Sequence, residues 1–594
     1  MARRLPPVDI VIVGMGWTGG IMARELAPTG LEIAVLERGG PRSTPEDFSV
    51  PTIRDELRFA QRHDLMMDVA KDTLTVRNSL AETALPMRRL GSFLPGEGVG
   101  GAGVHWNGAT WRWGDNDLKV RSQTIQAHGA GFIPKDMPLR DWGVSYAELE
   151  PYYDKFEYVA GVSGQAGNLK GQLLPGGNPF EGARARDYPL PPLAENHAHA
   201  KFRTAASGLG YHPFARPAAN ASKPYVNPDG MRLGQCQYCG FCERFGCESN
   251  AKGSPHITVI PVALKHPNVD LRTWSWVQKV LLDKTGRKAT GVAYVNVLTG
   301  EELEQPADLV VLAAYGLSNV HLMLLSGIGK PYDPQTGRGI VGSHYAYQIG
   351  AGVGLFFEGE NFNPFIASGS SGPVIDDFHA NPAFDRGPLG FIGGATVTCG
   401  SSGGRPIAYR PTPPGTPGWG SAWKRATAKW YQSYTSVGAL GSVMPNRGNY
   451  LDLDPTYRNR FGQPLMRMTF DFKENENRLA RHAAKVCGEI GKAMNPTLLS
   501  GGSEGRYGGS RESWSVVPYQ STHNTGGAIM GTEPGRSAVN TWLQSWDVTN
   551  VFVLGASAFP HNSAYNPTGP VAALAYRTAE AVRDRYLKRP GLLS

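Results

Sequence analysis

The feature that most constrains the fold is a glycine motif near the start of the chain, at Gly14, Gly16 and Gly19. A short β-branched apolar run, VDIVIV over 8–13, leads into it, and a segment with helical spacing follows. A second apolar run, EIAVLE, then ends at Glu37. This order of strand, G-x-G-x-x-G, helix, strand and acid predicts a dinucleotide-binding βαβ unit.

Each position of this unit has a physical task. Gly14 permits a tight turn, Gly16 lets backbone amides approach a pyrophosphate, and Gly19 lets the helix pack closely on the strand. The N-terminus of the helix faces the phosphate charge, and Glu37 is placed to bind ribose hydroxyls. The unit alone leaves open whether the dinucleotide is FAD or NAD.

The totals for the chain narrow its class. With 594 residues, 41% of them hydrophobic, the chain has enough apolar residues for a large core and more than one domain. A net charge of +8 without a basic run argues against a nucleic-acid partner. The chain contains no run of about 18 apolar residues, which argues against a transmembrane helix. Because no apolar segment of the signal-peptide kind follows Arg3 and Arg4, we expect no export signal on this chain.

Four further segments, far apart in the chain, carry a family resemblance. They are GVGGAGVHWNG at 98–108, DLVVLAAYGLSNVHLMLLSG at 308–327, HNTGG at 523–527 and VFVLGASAFPHNSAYNPTGPVAA at 551–573. In order and wording these segments resemble the glucose-methanol-choline (GMC) flavoprotein oxidoreductases, which implies FAD as the cofactor. One departure is the run Gly-Ala-Ser at 555–557, where the family usually carries an acid.

The resemblance implies an α/β fold with two parts. A Rossmann-like FAD-binding domain would be assembled from 1–120, 230–345 and 530–594, and a substrate domain with an antiparallel sheet from 121–229 and 346–529. The residues that the glycine unit and the resemblance together place along the cofactor are Gly14, Gly16, Trp17, Thr18, Gly19, Glu37, Arg38, Gly100, Gly101, His105, Trp106, Asn107, Gly108, Val277, Ala314, Ala556, Asn566, Pro567 and Thr568.

The resemblance also implies the catalytic residues. Oxidation of an alcohol by hydride transfer needs a base for the hydroxyl proton and an acceptor for the hydride. His523 matches the family's base, and Asn566 matches the second residue, whose amide holds the same oxygen. We interpret His561, which follows a proline in a turn, as a loop or pocket-lining residue. His105 has the spacing at which some family members attach the flavin covalently through its 8α-methyl group.

Four of the six cysteines fall within the twelve residues CQYCGFCERFGC, at Cys236, Cys239, Cys242 and Cys247. Disulfides and structural zinc are possible, but the C-x2-C-x2-C-x4-C spacing is nearest to the iron-sulfur run of ferredoxins. Cys399 and Cys487, the other two, sit in unrelated segments and have the character of ordinary buried residues. The resemblance implies a 3Fe-4S cluster with three thiolates, for which we favour the first, third and fourth cysteines of the run.

Within the family, the chain most resembles the flavoprotein subunits of membrane-bound gluconate 2-dehydrogenases. The resemblance implies oxidation of D-gluconate to 2-dehydro-D-gluconate, with a sorbitol, 2-ketogluconate or sugar 3-dehydrogenase as the alternative. It also implies a small partner subunit bearing a twin-arginine signal, a multihaem cytochrome c subunit, and a peripheral location on the periplasmic side of the bacterial inner membrane. A noncatalytic electron-transfer subunit is the alternative from another class, and the presence of both His523 and Asn566 argues against it.

Overall fold

A computed structural model describes residues 2–49, 62–88, 95–400, 407–501, 506–507 and 522–593. In these residues the α-helices are α1 (Trp17–Leu26), α2 (Asp115–Leu118), α3 (Val120–His128), α4 (Tyr146–Ala160), α5 (His197–Gly208), α6 (Val259–Ala263), α7 (Gly316–Ser326), α8 (Gly420–Trp430), α9 (Glu474–Ala493) and α10 (Thr568–Ala581). The strands are β1 (Arg3–Arg4), β2 (Val8–Val13), β3 (Ile33–Leu36), β4 (Thr75–Arg77), β5 (Leu85–Pro86), β6 (Asn168–Leu169), β7 (Gln172–Leu173), β8 (Phe214–Ala215), β9 (Tyr225–Val226), β10 (Arg232–Leu233), β11 (Val269–Arg272), β12 (Ser275–Leu282), β13 (Ala289–Asn296), β14 (Glu302–Leu312), β15 (Ile349–Phe356), β16 (Pro373–Ile375), β17 (Ala395–Gly400), β18 (Tyr434–Gly441), β19 (Tyr450–Arg458), β20 (Pro464–Thr469), β21 (Leu498–Ser500), β22 (Arg506–Tyr507) and β23 (Val551–Val553).

The central sheet has eight strands in the order β11-β3-β2-β14-β13-β12, with β1 and β23 also paired to β14. The long strand β14 joins two kinds of pairing: its first half pairs antiparallel with β13, and its second half pairs parallel with β2 and β23. In the parallel part the strands end level with one another, at Val13, Leu36, Leu312 and Val553. Their carboxyl ends therefore form one edge, the place where open parallel sheets bind ligands.

The predicted βαβ unit is present as β2, α1 and β3. Residues 10–13 of β2 are buried, as expected for a parallel strand covered on both faces. The turn after β2 puts Gly14 at φ +95°, a backbone conformation that favours glycine. A Cβ on Gly19 would lie 2.0 Å from the carbonyl oxygen of Gly14, so α1 packs against the turn only with glycine at that position.

A second, antiparallel sheet has seven strands in the order β21-β15-β18-β17-β16-β8, with β22 paired to β15. Helix α9 packs against β15 and β18 of this sheet. The buried apolar side chains of α9 recur at helical spacing, at Leu479, Ala480, Ala483, Ala484, Val486, Cys487 and Ile490. The predicted fold class, α/β with an additional antiparallel sheet, is thereby confirmed, whereas the boundaries of the two domains stay a prediction.

A third sheet of four strands, β19-β20-β4-β5, joins residues near the N-terminus to the segment after β18. The described helices include none with the length and apolar character needed to span a bilayer.

Candidate active site

A cavity of about 590 Å³ lies at the carboxyl edge of the central sheet. Its walls include the last residues of β2 and β3, at Val13 and Leu36, and the residues that follow β14 and β23, at Ala313 and Gly555. The sheet topology therefore positions this cavity, and the side chains around it come from loops that leave the strand ends.

Most of the residues predicted to bind the cofactor line this cavity: Gly14, Gly16, Trp17, Thr18, Glu37, Arg38, Gly101, Trp106, Asn107, Val277, Ala314, Ala556, Asn566, Pro567 and Thr568. The other four, Gly19, Gly100, His105 and Gly108, are not lining residues. Gly100 donates its amide to the carbonyl oxygen of Met15 at 2.7 Å, and a Cβ on Gly108 would lie 2.1 Å from Oδ1 of Asn220. These glycines shape the backbone behind the cavity wall.

His105 is fully buried, and its carbonyl oxygen accepts a hydrogen bond from the amide of Arg244 at 2.7 Å. Its neighbours Trp106 and Asn107 face the cavity. Covalent attachment of the flavin at His105 stays a prediction.

The start of α1 fits the pyrophosphate of a dinucleotide. No side chain caps this helix at Gly16, so its first backbone amides have no side-chain acceptor. A Cβ on Gly16 would meet only the carbonyl oxygen of Gly100, at 3.9 Å, so the protein itself leaves room for a side chain there. Glycine at this position is needed only if a ligand comes close to the backbone. The residues present therefore fit a dinucleotide such as FAD.

Glu37 ties the turn of the glycine motif to the end of β3. Its carboxylate accepts hydrogen bonds from the amides of Met15 and Gly39, both at 2.9 Å, and burial raises its pKa. The neighbouring Arg38 also lines the cavity, with its guanidinium 3.9 Å from the carboxylate of Asp72. Glu37 and Arg38, which follow the last residue of β3, thus bring a carboxyl group and a guanidinium to the cavity wall.

The two predicted catalytic residues, His523 and Asn566, lie side by side in the wall of the same cavity. Nδ2 of Asn566 lies 2.9 Å from Nε2 of His523. Backbone hydrogen bonds at 3.0 Å between Ala346 and Thr525 place the segment before β15 beside His523. The imidazole is enclosed by protein around the cavity, and this burial lowers its pKa to about 4. His523 is therefore a neutral histidine at neutral pH, as a general base must be.

Two residues that the sequence reasoning missed hold this pair. Gln348 contacts Nδ1 of His523 through its Oε1, and Trp111 donates from Nε1 to Oδ1 of Asn566 at 3.3 Å. Because the amide oxygen of Asn566 is taken by Trp111, its NH₂ group faces the imidazole. Trp111 in turn stacks on Tyr565, with ring centroids 4.5 Å apart. The aromatic run WRW at 111–113 was the available signal for Trp111, and we find none for Gln348.

His561 belongs to the core and is not among the residues that line the cavity. Its Nε2 accepts a hydrogen bond from Nε1 of Trp142 at 3.1 Å, and burial lowers its pKa. It lies in a loop, as interpreted from the sequence, but away from the pocket surface.

The four clustered cysteines lie in one loop and differ in burial. The structure buries Cys236 and Cys242, partly exposes Cys247 and exposes Cys239. In the described ranges, no three His, Cys, Asp or Glu side chains are grouped as they would be around a metal ion. The predicted metal site in this run, with three of its four cysteines as ligands, is therefore not supported by the side-chain positions. Burial, together with the neighbouring thiols, raises the pKa of Cys242 to about 12.

A buried lysine joins the cysteine loop to the cavity wall. Nζ of Lys252 donates to the carbonyl oxygens of Trp106, Cys242 and Phe245, each at 2.8 Å. Trp106 lines the cavity, and Cys242 belongs to the cysteine loop. This link could not be predicted from the sequence, because Lys252 lies outside every motif.

Comparison with known proteins agrees with this arrangement. Residues 143–345 and 445–575 match two family models described as GMC oxidoreductase. The chain is 46% identical to the gluconate 2-dehydrogenase flavoprotein of Pantoea cypripedii, over 100% of this chain and 96% of that protein. It is 25% identical to the fructose dehydrogenase large subunit of Gluconobacter japonicus, over 98% and 99%. Pyridoxine 4-oxidase from Mesorbium loti shares the fold, with a TM-score of 0.57 at 15% identity over 97% of this chain and 99% of that one.

Proposed function

We propose, since the chain belongs to the GMC oxidoreductase family, that it oxidises a secondary hydroxyl of a sugar acid, with D-gluconate converted to 2-dehydro-D-gluconate. The family makes the chain an FAD-dependent oxidoreductase of the alcohol-oxidising type. The observation that carries the substrate is the 46% identity, over the whole chain, to a protein named as a gluconate 2-dehydrogenase flavoprotein.

The chain supplies the base and the orientation for this reaction. When bound, FAD supplies the acceptor for the hydride that leaves the carbinol carbon. Nε2 of His523 accepts the hydroxyl proton, because the low pKa of this imidazole keeps it neutral. The amide of Asn566, beside Nε2, donates to the same oxygen as negative charge develops on it.

Replacement of the base tests this assignment. We expect His523→Ala to lower kcat/KM for dye reduction by gluconate about 10²- to 10⁴-fold, with the FAD content unchanged. His197→Ala, which alters an exposed histidine paired with Glu360, serves as the matched control and should keep full activity. Full turnover in His523→Ala would refute the base assignment. A wild-type protein that binds FAD but reduces no dye with gluconate would favour a noncatalytic electron-transfer subunit.

One observation favours the neutral polyols and sugars as a second substrate class. Among the described residues that line the cavity, the sole Lys or Arg is Arg38, and it is paired with Asp72. A sugar acid brings a carboxylate that gains from a nearby cation. A dye-reduction screen over gluconate, 2-ketogluconate, sorbitol, fructose and glucosides decides between the classes, and a higher kcat/KM for a neutral substrate would overturn the gluconate assignment.

We also propose that the cysteine loop binds an iron-sulfur cluster, with a 3Fe-4S cluster as the type. The C-x2-C-x2-C-x4-C spacing supports this. Purified protein should then contain iron and acid-labile sulfide. Zinc, or no metal in protein prepared without oxygen, would overturn the proposal and leave the flavin site intact.

The proposed assembly follows from the same resemblance. We propose a small subunit with a twin-arginine signal and a multihaem cytochrome c subunit as partners, on the periplasmic side of the bacterial inner membrane. The name of one relative, a dehydrogenase large subunit, supports an assembly of more than one chain. Co-purification from a host that expresses all three chains tests it, and recovery of this chain alone would contradict it.

Two structural proposals complete the picture. The FAD-binding domain would comprise 1–120, 230–345 and 530–594, with the remainder as the substrate domain.

A covalent bond from His105 to the flavin would survive denaturation, so yellow colour should stay with the protein on filtration. Colour that passes the membrane would exclude the bond.

A further inference from the structure

Gln348 is a buried side chain for which the chemistry above has no role. It is 3% exposed and lies one residue before β15. The pairing of Ala346 with Thr525 holds its segment against the segment that carries His523. Its Oε1 contacts Nδ1 of His523, the ring nitrogen on the side away from Asn566.

The orientation of the Gln348 amide is fixed by the backbone. Its Nε2 donates to the carbonyl oxygen of Ser563 at 2.5 Å and to that of Tyr565 at 2.8 Å, which uses both of its hydrogens. A flipped amide would put its oxygen against two carbonyl oxygens. Oε1 therefore has to face His523, and it can only accept a hydrogen bond there.

This orientation determines where the histidine carries its proton. Since Oε1 accepts, Nδ1 of His523 must donate, so the neutral ring has its hydrogen on Nδ1 and its lone pair on Nε2. The same tautomer follows independently from the other side of the ring. Nδ2 of Asn566 is a donor fixed by the bond from Trp111 to its amide oxygen, and it needs an acceptor at Nε2.

We propose that Gln348 is a positioning residue that locks the Nδ1–H tautomer of His523 and keeps the lone pair on Nε2, the nitrogen that takes the hydroxyl proton. An amide does this without adding charge. A carboxylate in its place would stabilise the imidazolium and so raise the pKa of the ring. The proposal rests on the proposed function, because it assumes that His523 is the base.

The surroundings of His523 contain few groups that titrate near neutral pH. The segment of Gln348 carries Tyr345 and Tyr347, the segment 563–566 carries Tyr565, and Tyr315 precedes α7. Phenols ordinarily stay neutral below about pH 9. Asp376 bonds to the hydroxyl of Tyr565, and burial raises its pKa to about 6. The imidazole of His379 contacts Oγ of Ser563 at 3.2 Å. Any limb from Asp376 or His379 is common to the wild type and to variants at Gln348.

The experiment compares two substitutions at Gln348 by steady-state dye reduction across pH 4.5 to 9. Gln348→Met removes the acceptor, so we expect kcat to fall at least about 10²-fold, with KM changed less than about threefold and FAD content retained. Gln348→Glu keeps an acceptor but adds charge, so the acidic limb of kcat/KM should move upward in pH by at least one unit relative to the wild type. Partial rescue of kcat by Glu relative to Met at high pH is also expected.

Gln544 provides the matched control. It is a fully buried glutamine whose Nε2 likewise donates to two backbone carbonyls, those of Thr549 and Gly591, and it does not line the cavity. Gln544→Glu and Gln544→Met should lower the thermal midpoint without moving kcat or the acidic limb. If the Gln348 variants behave as these controls do while His523→Ala is inactive, the positioning role is wrong and the proposed function stands. If His523→Ala is fully active, the proposed function itself fails. Should Gln348→Met not retain FAD, the limb of Gln348→Glu decides alone.

Discussion

The flavin cavity and the cysteine loop differ in how far the chain's own packing arranges each site. At the cavity, the backbone sets the geometry: the turn at Gly14, the uncapped start of α1 and the level strand ends are fixed by main-chain pairing. In the loop, four thiols lie near one another, yet no three are grouped as metal ligands in the described residues. A site made from backbone is complete once the sheet forms, whereas a site made from side chains depends on their rotamers.

Three of these thiols, those of Cys236, Cys239 and Cys242, are neutral near pH 7 when no metal is bound. Burial is the first cause that raises the pKa of Cys236, Cys239 and Cys242, and the neighbouring thiols raise each pKa further. Thiolates drawn together without a cation would repel each other in a medium of low dielectric constant. Nζ of the nearby Lys252 donates its three hydrogen bonds to backbone carbonyl oxygens. These contacts therefore stabilise the backbone conformation of the loop and do not stabilise a group of thiolates.

The largest expected effect separates the folding role of the cavity glycines from their ligand-binding role. Gly19→Ala puts a Cβ 2.0 Å from a backbone oxygen, so we expect loss of soluble, FAD-containing protein. Gly16→Ala finds open space in the protein, so its Tm without FAD should stay within about 1 °C of the wild type, while FAD affinity falls at least about tenfold. Gly208→Ala, in α5 with no atom within 4 Å of the added Cβ, is the control and should be neutral. If Gly16→Ala lost soluble protein to the same extent as Gly19→Ala, the two glycines would not have separate folding and ligand-binding roles.

The same contrast governs what could be predicted from the sequence. The βαβ unit was predictable because its signals are local: apolar runs of strand length, glycines at fixed offsets and an acid at the next strand end. The pairing of His523 with Asn566 was available only through family resemblance, since 43 residues separate them. Gln348 and Trp111 come from segments still farther away, and single glutamines or tryptophans carry no pattern. A turn histidine such as His561 has the same local sequence whether it faces a pocket or the core, so only tertiary packing decides.

The next effect in size concerns the link between the two regions. Lys252→Met removes the donor that three carbonyl oxygens share, and each oxygen left unpaired costs about 1–3 kcal/mol. The oxygen of Cys242 still accepts from the amide of Phe245 at 3.3 Å, so the cost comes from the other two and is about 2–6 kcal/mol. Because the unfolding entropy is about 2.1 cal/mol/K per residue, we expect the Tm of this 594-residue chain to fall by about 2–5 °C. Because one of the three oxygens belongs to Trp106 in the cavity wall, FAD affinity should fall as well.

Differential scanning fluorimetry and fluorescence titration of FAD measure these two effects separately. Lys284→Met, at an exposed turn, is the control and should change neither. A lower Tm with an unchanged Kd for FAD would show that the cysteine loop and the cavity are independent, which would sharpen the contrast between them. An unchanged Tm would remove Lys252 as a structural link.

The smallest effect tests the exposure order within the cysteine loop. In metal-free protein at pH 8, iodoacetamide should modify the exposed Cys239 first and Cys242 last, because Cys242 is 7% exposed and its pKa is raised to about 12. Cys487, buried in α9 with its pKa also raised to about 12, is the internal control for an unreactive thiol. Peptide mass spectrometry over time gives the four rates.

After reconstitution with iron and sulfide, Cys239 should remain modifiable as the spare thiol, while the other three become protected. Equal rates for Cys239 and Cys242 before reconstitution would mean that the loop is open in solution, and protection of Cys239 afterward would assign it to the cluster.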